Sequence, residues 1–332
     1  GVAGYINLDG AAVSPVTIKR MTDAIRHRGP DGEGHWSEGN IAIGHRRLAI
    51  IDLSPAGHQP MVSADHRYVL SYNGEIYNFK ELRTELEAEG YWFRSHTDSE
   101  VVLYALAAWG IEAINRFNGM FSLALWDRKE RKLILARDRY GIKPLYYYEL
   151  GNTFAFASEQ KSILEIPGVD RKVHKQTLVE YFTFQNMFTN GVLLENFKIL
   201  QPGHYGILEL GGANPKLKLT EYWDFNFQDP DTPASKEEYI EELERLFLQA
   251  VNRQLVSDVE VGCYLSGGMD SGSITAIASR SYPYLKSFTC GFDMHSASGL
   301  EAGYDERQAA EAMSAYFKTE HYEMVLKAGD ME

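Results

Sequence analysis

The chain has 332 residues, 44% of them hydrophobic, which is enough for two globular cores, since a single core rarely keeps growing past roughly 250 to 300 residues. Its net charge, 33 − 46 = −13, opposes an extended interface with a phosphate backbone and so excludes nucleic acid as an expected partner, and no apolar run approaches the roughly 18 residues of a membrane span. Cys263 and Cys290 are too few for a disulfide framework, and Gly1-Val2-Ala3-Gly4-Tyr5-Ile6-Asn7 lacks both regions of a secretory signal, so a reducing cytoplasm is expected.

In chain order, residues 16–27 read as a helix with Ile18, Met21 and Ile25 on one face. Strands are predicted at 41–44, 68–72, 120–126, 133–136, 145–148 and 153–157, each bounded by Gly, Asn, Asp or Pro. Helices are predicted at 79–89 behind Asn78 as N-cap and at 99–109 behind Asp98 as N-cap. Two layers of sheet covered by amphipathic helices fit this pattern. The composition turns polar and proline-containing at 229–233, which marks a linker. A first domain is therefore expected over 1–210, a connecting segment over 211–234 and a second domain over 235–332. In the second, Ser235 and Glu238 form a capping-box pattern ahead of a helix at 236–255, whose Tyr239, Leu243, Leu246, Phe247 and Val251 share a side. Strand (259–265), turn, helix (271–280) and strand (287–292) follow, an order that suggests a parallel α/β sheet.

The turn is Ser266-Gly267-Gly268-Met269-Asp270-Ser271. At a strand-to-helix junction, backbone N–H groups and the helix dipole hold anions. Gly267 and Gly268 let the backbone approach phosphate oxygens, Ser266 and Ser271 supply hydroxyls, and Asp270 suits Mg²⁺. No lysine follows, so this is not a Walker loop. A plain Ser/Gly/Asp turn is the competing reading; six positions in this context weigh against it.

Several segments of the first half pair a chemical reading with a structural one. Arg26-His27-Arg28-Gly29-Pro30-Asp31 gathers positive charge at a helix end, which a helix stop explains equally well. Arg47, ahead of Leu48, Ala49, Ile50, Ile51 and Asp52, suits a bidentate grip on a carboxylate or a surface ion pair. Asn73, Gly74 and Glu75 supply an amide donor, a backbone N–H and a carboxylate, the parts of an oxyanion hole and an ammonium receptor; an Asn-Gly β-turn is the alternative. Asp98 suits an amine ligand, a helix cap, or both.

The phosphate loop resembles the Ser-Gly-Gly-x-Asp-Ser signature of the ATP pyrophosphatase family. That resemblance implies ATP cleaved between its α and β phosphates and adenine contacts at Tyr264, Leu265 and Cys290, although a buried core cysteine fits Cys290 as well. The first-half segments, with Gly119-Met120-Phe121, residues 137–146 and Ser158-Glu159-Gln160-Lys161, resemble the class II glutamine amidotransferase domain of asparagine synthetases. This resemblance implies an N-terminal-nucleophile fold, a four-layer αββα sandwich, followed by a parallel α/β domain that stops short of its C-terminal part. It also implies that Arg47, with the neighbouring 48–51 backbone, holds the glutamine α-carboxylate, that Asp98 and Glu75 receive the α-amine, and that Asn73 and Gly74 stabilise the oxyanion.

Two departures from the family pattern stand out. The family opens Cys-Gly-Ile-Ala-Gly where this sequence opens Gly1-Val2-Ala3-Gly4, so a nucleophilic cysteine is expected immediately before Gly1. Residues 293–305 are longer and richer in Gly and Ser than a compact connection, which suits a mobile loop over the substrate or a disordered insertion. The expected function is glutamine-dependent asparagine synthesis from aspartate and Mg-ATP through β-aspartyl-AMP, with dimers common among such enzymes. The alternatives are a related ligase (β-lactam synthetase, lasso-peptide cyclase or polysaccharide-modifying amidotransferase) and a catalytically silent amino-acid-binding regulator.

Overall fold

Along β1 (Val2–Asn7), Val2 and Ile6 face a second sheet while Ala3 and Tyr5 face a helix, the alternation a twice-covered strand requires. There follow α1 (Pro15–Asp23), β2 (Gly32–Glu38), β3 (Ile41–Arg47), β4 (Met61–Val62), β5 (Tyr68–Ile76), α2 (Phe79–Ala88), α3 (Asp98–Trp109), α4 (Ala113–Arg116), β6 (Gly119–Asp127), β7 (Lys132–Arg137), β8 (Tyr146–Leu150) and β9 (Thr153–Ala157). Then come α5 (Gln160–Ile163), α6 (Lys175–Phe184), β10 (Phe197–Ile199), β11 (His204–Glu209) and β12 (Lys218–Glu221). One antiparallel sheet runs β10-β8-β9-β1-β3-β2 and the other β12-β11-β7-β6-β5-β4.

Between the sheets, Ile6, Ile43 and Phe156 meet Val69, Trp126 and Leu135 in one core. On the outer side of the first sheet Ile18, Met21, Ile25 and Ile163 pack over Ala3, Ala42 and Ala155. Each such fully buried aliphatic side chain contributes roughly 1.5–3 kcal/mol. Helices α2 and α3 pack together, α3 lies against β5, and the layering is the expected αββα sandwich.

The computed structural model describes residues 1–188, 191–212, 215–229, 233–293, 305–327 and 330. It divides into Gly1–Phe227 and Gln228–Glu332, between the expected domain edges at 210 and 235. The second unit contains α7 (Lys236–Gln254), β13 (Gly262–Tyr264), α8 (Met269–Ser281), β14 (Lys286–Phe292), α9 (Arg307–Phe317) and β15 (Glu320–Leu326). Its sheet, β13-β14-β15, is parallel, and the Ser235–Glu238 capping box is formed. Among the described residues no helix is long and apolar enough to cross a membrane. Most of the 293–305 segment and the middle of the 229–233 turn lie outside the described residues.

Three local expectations are corrected. The first helix stops at Asp23 and Arg26–Arg28 form a separate 3-10 turn, because the chain must turn at Gly29, where any Cβ would overlap the Arg46 carbonyl. The N-cap of α3 is Thr97, whose side chain accepts from the Glu100 N–H, and Asp98 is the first helical residue. Asn78 sits at the N-cap of α2 without capping it; its amide bridges the Arg116 carbonyl and the Asn118 N–H instead.

Candidate active site

Strand β4 covers β5 only at Val69 and Leu70, so the rest of that edge of β5 is open. Alternation turns the N–H groups of residues 72, 74 and 76 towards it. Tyr72 donates to Gln59 Oε1 (2.7 Å) and Ile76 to Asp98 Oδ2 (3.0 Å). The Gly74 N–H between them is thereby directed into a cavity of about 360 Å³ whose wall includes Gly1, Arg47, Asn73, Gly74, Glu75 and Asp98. A side chain at Gly74 would overlap the Met120 carbonyl oxygen. Beside it the Asn73 Nδ2 is buried without a hydrogen-bond partner among the described residues. Two uncommitted donors therefore sit side by side on one wall.

Because Thr97 caps α3, the Asp98 carboxylate is free to face this cavity. It accepts from the Tyr72 hydroxyl (2.8 Å) and the Ile76 N–H, and burial raises its pKa in spite of these bonds. Burial, with the Asp98 charge second, also raises the pKa of Glu75. Neither carboxylate has an ion pair among the described residues, although the Lys143 charge acts on Glu75, and a pair of such carboxylates suits a primary ammonium.

Arg47 holds its own loop. Its Nη1 donates to the Ser54 carbonyl (2.9 Å) and its Nη2 to the Ile51 and Asp52 carbonyls. Both Nη2 hydrogens are taken, so neither two-donor edge of the guanidinium is whole, and the bidentate grip expected of Arg47 is not present in this arrangement. Leu48, Ile50 and Ile51 line the cavity with it; Ala49 does not, and its N–H donates to Asp31 Oδ2 (2.9 Å).

Gly1 lies on the same wall. Its nitrogen donates to the Arg46 carbonyl and the Arg46 N–H donates back to the Gly1 carbonyl (2.8 Å). His45, fully buried on the wall, joins the sheets through Nδ1 and Ser71 Oγ (3.1 Å); that hydroxyl donates to the Gly44 carbonyl, so the ring carries its proton on Nδ1. Desolvation holds its pKa well below the usual histidine value, and the imidazole is neutral.

In the second unit α8 starts at Met269 with Gly268 as a cap that offers no side-chain acceptor, so its first N–H groups are open to an anion. Ser266 and Ser271 hold the loop through their hydroxyls (2.9 Å). Asp270, in the first turn, is exposed, and no cluster of three or more metal-ligating side chains occurs among the described residues. A single carboxylate beside an uncapped helix N-terminus fits Mg²⁺ only together with a bound phosphate. Tyr264 and Cys290 line an apolar cavity of about 360 Å³ with Phe288, Tyr322 and Met324. Cys290 is exposed, so the buried-core reading of it fails. Leu265 is buried, its N–H on the Phe288 carbonyl (2.8 Å) and its carbonyl accepting from Thr289.

The sequence model of the glutamine amidotransferase domain matches residues 1–223, and that of asparagine synthase residues 242–332. The chain belongs to the glutamine amidotransferase family of asparagine synthetase type. Glutamine-hydrolysing asparagine synthetase 3 of Bacillus subtilis (strain 168) is 34% identical over 344 residues, 100% of this chain and 55% of the relative. Asparagine synthetase 1 of the same organism is 35% identical over 309 residues, 93% and 47%. Amidase chry2 of Gibberella zeae is 34% identical over 296 residues, 84% and 43%. The chain spans about half the length of these curated relatives.

Within this amidotransferase domain the cavity wall also includes Gln59, Tyr72, Arg28, His45 and Lys143, which the sequence reading did not assign to the site. Arg28 and Lys143 lay inside segments already singled out. Gln59 and Tyr72 carry no local signal, because each acts across strands on a neighbour's backbone or side chain.

Proposed function

We propose that the chain carries the glutamine-hydrolysing half and the start of the ATP-using half of an asparagine synthetase. The observation that carries this reading is the pair of uncommitted donors, Asn73 Nδ2 and the Gly74 N–H, in the cavity that holds Asp98 and Glu75. Glutamine binds with its α-ammonium at Asp98 and Glu75, its α-carboxylate at the charge of Arg47, and its side-chain carbonyl at the donor pair, which strengthens its hold as that oxygen becomes an alkoxide. The nucleophile is the thiol of a cysteine joined to the Gly1 nitrogen, and its α-amine, with a pKa near roughly 8, accepts the thiol proton. The reciprocal Gly1–Arg46 pair supports this, since a peptide N–H at Gly1 completes that antiparallel pair without burying a charge.

In the second unit the α8 N-terminus and the Ser266 and Ser271 hydroxyls receive ATP phosphates, Asp270 would hold Mg²⁺, and Tyr264 and Cys290 flank the adenine. Mg²⁺ neutralises phosphate charge when bound. Aspartate becomes β-aspartyl-AMP with loss of PPi, and ammonia displaces AMP. A reducing cytoplasm keeps the thiol free, and a homodimer is the assembly this reading favours. A relative 34% identical over 84% of this chain is named an amidase and not an asparagine synthetase, which motivates a second reading, in which another carboxylate takes the place of aspartate. Substrate-dependent AMP release from the full-length protein decides between them: aspartate is expected to raise it most, and no response to aspartate sinks the first reading.

A further inference from the structure

A closed circuit of hydrogen bonds runs through one corner of the cavity wall. Tyr72 donates its backbone N–H to Gln59 Oε1 (2.7 Å) and its hydroxyl to Asp98 Oδ2 (2.8 Å). Gln59 closes the circuit, since its Nε2 donates to Ser99 Oγ (3.3 Å), one residue beyond Asp98. Gln59, Tyr72, Asp98 and Ser99 are all buried, and all four line the cavity. The circuit therefore ties β5, which carries Asn73 and Gly74, to the start of α3, which carries Asp98. The Ile76 N–H donates to the same Asp98 oxygen (3.0 Å), so two donors converge on Oδ2 and fix where that carboxylate sits.

A buried tyrosine hydroxyl needs a partner, and for packing alone any backbone carbonyl would serve. Here the partner is a carboxylate on a cavity wall that makes no ion pair among the described residues. A carboxylate taken out of water gains a proton unless donors hold its charge, and a hydrogen bond to a charged acceptor is roughly twice as strong as one between neutral groups. We propose that Tyr72 is a positioning residue that sets specificity for an α-ammonium: its hydroxyl, with its backbone anchored through Gln59, holds the Asp98 carboxylate in place, so that the site selects an α-amino amide over an amide lacking the amine. This rests on the reading above in which Asp98 receives the glutamine α-ammonium. Successive side chains of a strand point to opposite faces, so the Tyr72 ring and the Asn73 amide lie on different sides of β5. Removing the hydroxyl therefore leaves the oxyanion donors in place, and the loss falls on binding and not on the chemical step.

The test uses the full-length protein with Y72F, which removes the hydroxyl and keeps the aromatic ring. KM for glutamine is expected to rise about tenfold, with kcat within about twofold of the parent. Inhibition by glutamate should weaken by the same factor, while inhibition by glutarate, which lacks the amine, should stay at the parental level. Hydrolysis of glutaramate, glutamine without its α-amine, should also stay at the parental level, so the preference for glutamine over glutaramate falls about tenfold. Ammonia-dependent AMP release at the parental level shows that the fold is intact, and if Y72F does not fold, Y72M carries the comparison. Parental KM and parental preference in a folded variant would overturn the assignment, as would a fall in kcat alone or equal weakening of glutamate and glutarate. A parent protein that hydrolyses glutamine and glutaramate equally well would instead sink Asp98 as the ammonium receptor, and one that hydrolyses no glutamine would sink the amidotransferase reading itself.

Discussion

Asp98 is fully buried, yet only a tyrosine hydroxyl and backbone N–H groups face it, and desolvation raises its pKa from 3.8. A group whose folded pKa is raised adds stability below its unfolded pKa and loses that contribution as pH rises through the folded value. Asp98→Asn should therefore melt at a higher temperature than the parent at pH 7 in the absence of glutamine, with the gain fading below the unfolded pKa of 3.8. The same variant should lose glutamine binding, because the ammonium receptor has lost its charge. Thermal melts at the two pH values, with glutamine titrated at pH 7, check both halves; a less stable variant at pH 7 contradicts the burial argument. The sequence exposed Asp98, Asn73 and Gly74 as candidates because their chemistry is carried by residue type. It left two roles open for Asp98, and the hydroxyl of Thr97, one position earlier, resolves them by capping the helix.

Elements position these residues through close backbone contacts. The 3-10 turn at Arg26–Arg28 reaches the cavity because Gly29 lies against the Arg46 carbonyl, with no room for a Cβ. Gly29→Ala should cost about 1–3 kcal/mol of stability and lower glutamine hydrolysis with it, as read by urea unfolding and activity. In the second unit, Ser235→Ala removes one side of the capping box of α7 and should cost about 1 kcal/mol there while leaving glutamine hydrolysis unchanged. The capping box was legible because it is a four-residue pattern. Strand β1 was not singled out, since Val2–Asn7 is short and mixes Gly and Ala with its apolar residues. Strand β2 (Gly32–Glu38) was missed for a related reason: its polar residues are held by pairing with β3 and not by burial of an apolar face. On α7 the apolar stripe was read correctly as a pattern, but of its five residues only Val251 is buried among the described residues.

Over the whole molecule the two proposed sites lie in separate compact units, the first built on two sheets and the second on one. Asn73→Ala in the full-length protein should lower glutamine-dependent turnover about 100- to 1,000-fold and leave ammonia-dependent turnover near the parent's. Asp270→Asn should impair both, since in the proposed function ATP use precedes either source of nitrogen. Parallel assays with glutamine and with ammonium chloride read the difference, and equal losses with both in Asn73→Ala would contradict separate roles. The sequence by itself determined the order of the motifs, the two-part organisation, the acidic net charge and the place of the Ser-Gly-Gly-Met-Asp-Ser turn between strand and helix, because each depends on residue type or short spacing. Only the tertiary structure decided that Gly1, Asn73, Gly74, Asp98 and Lys143 share one cavity, and that the guanidinium of Arg47 is largely taken by its own loop. Such groupings follow from long-range strand register, such as Val2 opposite His45 and Tyr72 opposite Leu123. Register is set by burial of whole faces against each other, which no local stretch of sequence encodes.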